Sequence, residues 1–577
     1  MVKYYFEGST FVIEDYQHAK KFSSFLPAMA GKDGKPLWAF YANVGQCMGG
    51  FGVNNKETPI TPFDSATLAY QNIPVKYFRT FLKIDGVNHA LFEDKSRALR
   101  TLKINKSNFT IIEESDDYKV VITYSTVSHR NYAGLIRNVV FTNKSGVSHH
   151  YELCDGLPVF FPLGLSNFCY KEMVSLMGAY CEIDLNNNAP FVKFKTSTGD
   201  NSVVELAHNG NGFVSIDKDG KRLENIVELY KVFEDDSALI KPNGWLIKGI
   251  NLLNEDQQLE NHLPCAFSVS GFDLQTGESY EFSSLYGSFN DVDEFNAAAG
   301  QFSVSSSKEM IKETEELVKS YLPKGLKTSN PLFDEYISQS LLDNNLRGGF
   351  PIILDDKKEG QPYYIFSRKH GDMERDYNAF NIPSTYFSSG PGNFRDVNQN
   401  RRSDLYFINQ IKDYNIKIFF SLIQMDGQNP LTVKPLVFKK NDNFDESILN
   451  GLFVKDKVLD LVSAGSQPGN IYTLLKDNDI PHSDELFASI LSNCHQEISA
   501  SFSEGYWIDH WTYNVDLLEN YLSVYPDKME ELLFKDDYKY FHSLVYVNPR
   551  SEKYCYVAKD KIRQYGISKK TKKMSSY

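Results

Sequence analysis

SSGPGNFRDVNQNRR at residues 388–402 and FSRKHGDMERDYN at residues 366–378 together decide how this chain is read. They crowd Arg368, Lys369, His370, Asp372, Glu374, Arg375, Asp376, Arg395, Asp396, Asn398, Gln399, Arg401 and Arg402 around the turn Gly390-Pro391-Gly392. Planar hydrogen-bonding groups at this density fold at high cost unless they face a polar ligand. Tyr363, Tyr364, Tyr377, Tyr386, Phe387 and Phe394 lie among them. Guanidinium and carboxylate groups fork onto vicinal hydroxyls, and aromatic rings stack on the apolar side of a pyranose, so the chemistry implies a carbohydrate site. The structural alternative is a buried salt bridge that ties a loop to the helices around it.

Outward from this segment the hydrophobic period changes once, near residue 305. Before it, runs such as Tyr118–Tyr124, Arg137–Thr142 and Ser279–Ser284 are β-branched or aromatic and bounded by turn residues. Residues 1–304 therefore read as a large antiparallel β-sandwich. Asp217-Lys218-Asp219-Gly220 reads as a hairpin turn rather than a calcium loop, because the remaining loop ligands are missing. From Ser306 the period is helical, with Ser306 and Glu309 as a capping box and Pro323 as the stop. A second helix is expected from the cap Asn330 and Pro331. These two helices form an expected linker over 305–346, followed by a helical domain over 347–577. In that domain, helices are expected around Ile416–Ile423, Leu486–Ile498 and Trp511–Leu522. Cys494-His495-Gln496-Glu497 falls on the second of these and reads as a core cysteine with polar neighbours, not as a metal site.

The chain has 577 residues, too many for one ordinary core, and a net charge of −13 that disfavours a nucleic-acid surface. Its 35 tyrosines and 41 phenylalanines suit strands and sugar platforms. Seven cysteines in no metal-like spacing read as reduced thiols in a cytoplasmic protein. The opening MVKYYFEGSTFVIEDY places acids where an export signal has its apolar region, and no run approaches the roughly 18 apolar residues of a membrane span. No membrane attachment, metal or organic cofactor is expected.

The runs GSTFVIEDY, FSSFLPAMAGKDGKPLWAFYANVGQCMGGFG, Phe78–Phe81 FRTF and above all GPGNFRDVNQ resemble the inverting glycoside phosphorylases related to cellobiose phosphorylase. The likeness is to the long members that act on β-linked gluco-oligosaccharides, and it spans nearly the whole chain. It implies a β-sandwich, a helical linker and an (α/α)6 barrel. It also implies phosphorolysis: inorganic phosphate as co-substrate attacks a β-glucoside and gives α-glucose 1-phosphate with inversion. One carboxylic acid then protonates the leaving oxygen. Carried over residue by residue, Arg395 and Asp396 hold hydroxyls of the sugar being cleaved. Arg368, Asp376, Gln399 and Trp507 join them as candidate substrate-binding residues. Relatives have an Arg six places before the Asp, where this chain has Gly390. Arg368 or Arg375 are the candidates to replace it.

The family's catalytic Asp lies in a Trp-Asn-Asp-Gly motif that this chain lacks. Its tryptophans are at 38, 245, 507 and 511, and none precedes Asn-Asp. About half a dozen helices are expected after Arg347, half of what a closed barrel needs. The resemblance is therefore to an N-terminal half, and it implies a complementary C-terminal half chain or exposed apolar helix faces. Asp509 in Gly505–Trp511, GYWIDHW, is the local candidate for the acid, a carboxyl whose proton affinity desolvation among indoles would raise. The alternative makes this segment a distal sugar platform or a helix start packed in the core. Three readings stand: a phosphorylase completed by a second chain, an inverting hydrolase with carboxylates about 6.5–9.5 Å apart, or a non-catalytic sugar-binding or assembly subunit. Members of the group are often homodimers.

Overall fold

Tyr118, Val120, Ile122 and Tyr124 turn inward along the strand Tyr118–Thr126, while Lys119, Val121 and Thr123 are only partly buried. This is the alternation of a strand with one face in the core. In the computed structural model the strand pairs antiparallel with Ala133–Asn143, with Val120 opposite Phe141 and Ile122 opposite Val139. Both belong to a ten-stranded sheet in which Ala133–Asn143 continues to Ser279–Phe289, Gly210–Asp217, Ala189–Phe194 and Cys181–Asn186. On the other side, Tyr118–Thr126 continues to Asn108–Glu114, Leu99–Ile104, Thr10–Glu14 and Lys3–Glu7. A five-stranded sheet includes Arg79–Ile84, His149–Leu157 and Ala266–Leu274, and a four-stranded sheet includes Trp38–Ala42 and Met48–Gly52.

The structure describes residues 1–93, 98–199, 202–354, 360–368, 380–424, 427–501, 509–534, 538–541, 545–547, 550–564 and 567–569. The chain divides into two compact units, Met1–Lys324 with Gly371–Ser384, and Gly325–His370 with Thr385–Tyr577.

In the first unit one hydrophobic core draws Leu102, Ile122 and Phe282 from the ten-stranded sheet, Leu82 and Leu153 from the five-stranded sheet and Phe51 from the four-stranded sheet. Each fully buried side chain of this size contributes about 1.5–3 kcal/mol of transfer free energy. A buried polar bond set crosses the same core. Arg137, at 0% exposure, donates from Nε and Nη2 to Asp155 at 3.0 and 2.5 Å, and Nη2 also donates to Gln46 Oε1 at 2.9 Å. Removing one partner of such a pair costs about 3–5 kcal/mol, because the other charge is left buried. The Asp217–Gly220 turn closes as expected, with Asp217 Oδ1 accepting from the amides of Asp219 and Lys221 and Gly220 at φ 82°.

Helix α1 (Val304–Ser320) belongs to this unit, and α2 (Pro331–Gly348) to the other. The expected Ser306–Glu309 box is corrected: the cap is Ser303, whose Oγ accepts from the Ser306 amide at 3.0 Å while the Ser303 amide donates to Ser306 Oγ at 2.8 Å. The earlier start brings Val304, Ser307, Met310, Thr314 and Leu317 onto the buried face. Asn330 caps α2 through its side chain, with Pro331 in the first turn, as the residues implied. Leu332, Phe333 and Tyr336 of α2 are exposed.

The second unit continues with α3 (Phe394–Arg401), α4 (Tyr414–Ser421), α5 (Lys455–Ala464), α6 (Pro468–Lys476), α7 (Ser483–Ser492) and α8 (Asp509–Val524). The helix expected to run through Cys494 ends at Ser492. Cys494–Glu497 is instead a strand paired with Val437–Lys440, Cys494 opposite Lys440, so Cys494 is buried by a sheet contact. Among the described residues no group of three His, Cys, Asp or Glu side chains is placed to hold a metal. All seven cysteines are free. No described helix is long and apolar enough to cross a membrane.

Candidate functional site

Gly392–Asn393 forms a short strand against Thr432–Val433 and hands the chain directly to α3. A β-carbon at Gly392 would collide with Val397 Cγ2, so any larger residue where strand and helix meet would force Val397 to move. On α3, Phe394, Val397, Asn398 and Arg401 turn inward at i, i+3, i+4 and i+7. Arg395 and Gln399 are left exposed and Asp396 partly exposed on the outward side.

Helix α8 lies parallel to α3, and the contacts advance together along both. The Phe394 ring is 5.3 Å from that of His510, Asn398 Nδ2 donates to Asn514 Oδ1 at 2.7 Å, Arg402 pairs with Asp516, and Asn520 Nδ2 donates to the Arg402 carbonyl at 2.7 Å. Their N-terminal ends therefore sit side by side, each carrying the partial positive charge of a helix start.

That juxtaposition assembles the site. Arg395 Nε is 3.3 Å from Asp396 Oδ1, and Nη1 is 3.8 Å from Asp509 Oδ2. The side chains of Arg395, Asp396 and Asp509 are 44%, 24% and 41% exposed. One guanidinium thus bridges two carboxylates on an accessible surface, where each contact contributes at most about 1 kcal/mol to stability. These groups have capacity left for a ligand's hydroxyls, unlike a sealed ion pair. Asp509 is a half-exposed, ion-paired carboxylate, not the desolvated one expected among indoles.

Beneath them His510 is 2% exposed, and its Nδ1 has no hydrogen-bond partner. Burial pushes its pKa down, with Asp509 opposing, Arg395 reinforcing and Asp396 opposing. A neutral imidazole therefore backs the two carboxylates. Sequence reasoning passed over His510 as a neighbour of Asp509; its place four residues before Asn514 on one helix face was the available signal.

The other candidates fall elsewhere. Arg368 is buried, and burial pushes its pKa down to about 10, with Asp343 opposing and Arg347 reinforcing. Asp376 and Trp507 lie outside the described residues. Gln399 is exposed one turn along α3 from Arg395. The aromatic residues expected as sugar platforms are corrected: Tyr363, Tyr364, Tyr386, Phe387 and Phe394 are all core residues. Arg401, counted among the ligand-facing groups, stacks 3.6 Å over the Tyr364 ring and donates through Nε to the Gly348 carbonyl. Tyr364 in turn donates to Asp404 Oδ2 at 3.0 Å and accepts from Asn415 Nδ2 at 2.7 Å. This internal cluster anchors the far end of α3.

No protein-family model matches the sequence, and no curated protein matches it. Among solved structures the chain is similar to a bacterial glucoamylase complexed with acarbose, at 13% identity and TM-score 0.37, over 82% of this chain and 65% of that one. The chain thus spans less than two thirds of the glucoamylase's length. It is similar to a protein named as an aldose 1-epimerase from Klebsiella pneumoniae at 10% identity and TM-score 0.25, over 52% of this chain and 88% of that one. It is also similar to one named as a kojibiose phosphorylase from the human microbiome at 8% identity and TM-score 0.22, over 71% and 45% of the two chains. At these values the likenesses assign no family.

Proposed function

We propose that this chain is a carbohydrate-active protein of the glycoside-phosphorylase kind, and that the Arg395–Asp396–Asp509 surface grips a glucosyl unit of a β-linked gluco-oligosaccharide. The observation that carries the reading is the accessible guanidinium held between two carboxylates where two parallel helices begin. Arg395 donates to, and Asp396 accepts from, adjacent ring hydroxyls, the geometry for which such forked groups are suited. Inorganic phosphate is the co-substrate: its oxygen forms the new bond to the anomeric carbon, the bond to the glycosidic oxygen breaks on the opposite face, and that oxygen takes a proton from a carboxylic acid. Asp509 is the acid this chain offers. A second chain with the Trp-Asn-Asp-Gly motif is the other source.

The exposure of Asp509 and its pairing with Arg395 favour, as a second reading, a sugar-binding subunit without turnover of its own. One experiment addresses both. The full chain is incubated with β-1,2-, β-1,3- and β-1,4-linked gluco-oligosaccharides, with and without phosphate, while calorimetry follows oligosaccharide binding. Glucose 1-phosphate formed only with phosphate supports phosphorolysis. Binding without turnover, weakened at least tenfold in Arg395→Ala and in Asp396→Ala, supports the second reading. Binding that neither substitution changes removes the site from both.

A further inference from the structure

A cleft of about 640 Å³ opens in the helical unit near the opposite end of α8 from Asp509. Its wall includes Tyr521, twelve residues beyond Asp509 along α8, or about 18 Å at the rise of an α-helix. Tyr414, Gln496, Lys412, Lys417 and Lys528 also line it, and the volume lies within the range that holds a small ligand. None of Arg395, Asp396 and Asp509 lines it.

The wall is preformed and polar. Tyr414 donates its hydroxyl to Gln496 Oε1 at 2.5 Å, and Gln496 Nε2 donates to the Pro362 carbonyl at 2.8 Å, so this tyrosine and amide are fixed in place. The rings of Tyr521 and Tyr525 pack 5.1 Å apart and supply an aromatic surface. Hydroxyl, amide and ring together suit a ligand with hydroxyls on one side and C–H groups on the other.

The charges narrow the class. Lys417 is 3.5 Å from Asp413, and Lys528 is 2.6 Å from Glu531, so two of the three ammonium groups already face carboxylates. Lys412 is exposed and makes no ion pair among the described residues. It also sits at φ 48°, a left-handed backbone that a lysine rarely adopts and that marks a position held by its surroundings. Among the described residues the cleft thus presents one ammonium group without a carboxylate partner, inside a chain of net charge −13. A polyanion would meet Asp413 and Glu531, and a neutral sugar would leave Lys412 unmatched.

We infer that this cleft is a second ligand site for a hexose bearing a single anionic group, a phosphate ester or a carboxylate, with Lys412 receiving the anion and Tyr414 and Gln496 facing the sugar. The inference is independent of the α3–α8 reading, and its test silences that site. The full chain carrying Arg395→Ala and Asp396→Ala is titrated by calorimetry with glucose 6-phosphate, glucuronate, glucose and inorganic phosphate. At least one anionic sugar should bind at least tenfold more tightly than both glucose and phosphate, and whether it is the ester or the carboxylate identifies the natural group. Lys412→Asn, which removes the charge but tolerates the left-handed backbone, should lose that preference, and Lys412→Arg should keep it. Absence of binding by both anionic sugars, glucose or phosphate binding as tightly as they do, or affinity unchanged in Lys412→Asn would overturn the inference.

Discussion

Asp404 sits where burial favours its proton. It is only partly exposed, and burial pushes its pKa up to about 7 against the lowering effects of the Tyr364 hydroxyl and the Arg401 guanidinium. An unfolded aspartate titrates near about 3.9, so between about pH 4 and about pH 7 the folded chain binds more protons than the unfolded one. The contribution is therefore fully favourable below that window and is lost as pH rises through it. Asp404→Asn keeps an acceptor for Tyr364 without a charge to bury. Urea midpoints around pH 5 and around pH 8 should show wild type losing ground to the variant as pH rises, and a difference constant across pH would remove Asp404 as the cause. The cluster around Asp404 also marks what residue composition could reveal. Arg395 and Asp396 were read as ligand-facing groups, and their side chains are 44% and 24% exposed. Arg401 was read the same way although it is buried, because a density of polar side chains says nothing about which helix face each one occupies. Phe394 and Val397 fix the inward face of α3, and counting four residues on from Val397 places Arg401 beneath it with the aromatic core.

At the scale of elements, strand and helix types followed from period, whereas boundaries followed from hydrogen bonds that the period does not encode. Serines at 303, 305, 306 and 307 offered several equivalent starts for α1. Ser303 is the cap because the start one residue before Val304 brings Val304 and Ser307 to the sheet, where Ser307 Oγ meets Ser283 Oγ at 2.7 Å. Ser303→Ala should cost about 1 kcal/mol of stability. Glu309→Ala, which would be costly had the box begun at Ser306, should stay within about 0.5 kcal/mol. Denaturant midpoints of the two variants decide between the two caps, and equal losses would restore the later one. Past α7 the failure was of a different kind. Leu486, Phe487, Ile490 and Leu491 repeat with helical spacing and Cys494 extends it, yet the pairing of Cys494–Glu497 with Val437–Lys440 draws Gln496 to Tyr414. A partner more than fifty residues distant in sequence overrode local spacing.

At the scale of the molecule, the expectation of contiguous domains at 1–304 and 347–577 with a linker between them meets an interleaved chain. Residues 380–384 belong with the β-rich unit although they lie between two segments of the helical one. Phe380, 6% exposed, packs its ring 5.3 Å from Trp38, 5.1 Å from Phe25 and 5.7 Å from Phe63. The Ile382 amide donates to the Asn54 carbonyl at 2.6 Å, and the Ser384 amide donates to Asn54 Oδ1 at 2.9 Å. Five residues without helical or strand period carried no sequence mark of this destination, since an aromatic ring does not announce which core it completes. The same segment separates Arg368 from Gly390, so the chain visits the sheets before it returns to begin α3. Truncating the ring removes the hydrophobic part of that tether while leaving the backbone bonds to Asn54 in place. Phe380→Ala should cost about 3 kcal/mol locally, a factor of about 100 in the opening equilibrium. Hydrogen exchange followed by mass spectrometry should then speed up at Ile382 and across Trp38–Val53, with α6 and α7 unchanged. Exchange equal to wild type at Ile382 would mean that the two Asn54 bonds hold the segment without the ring.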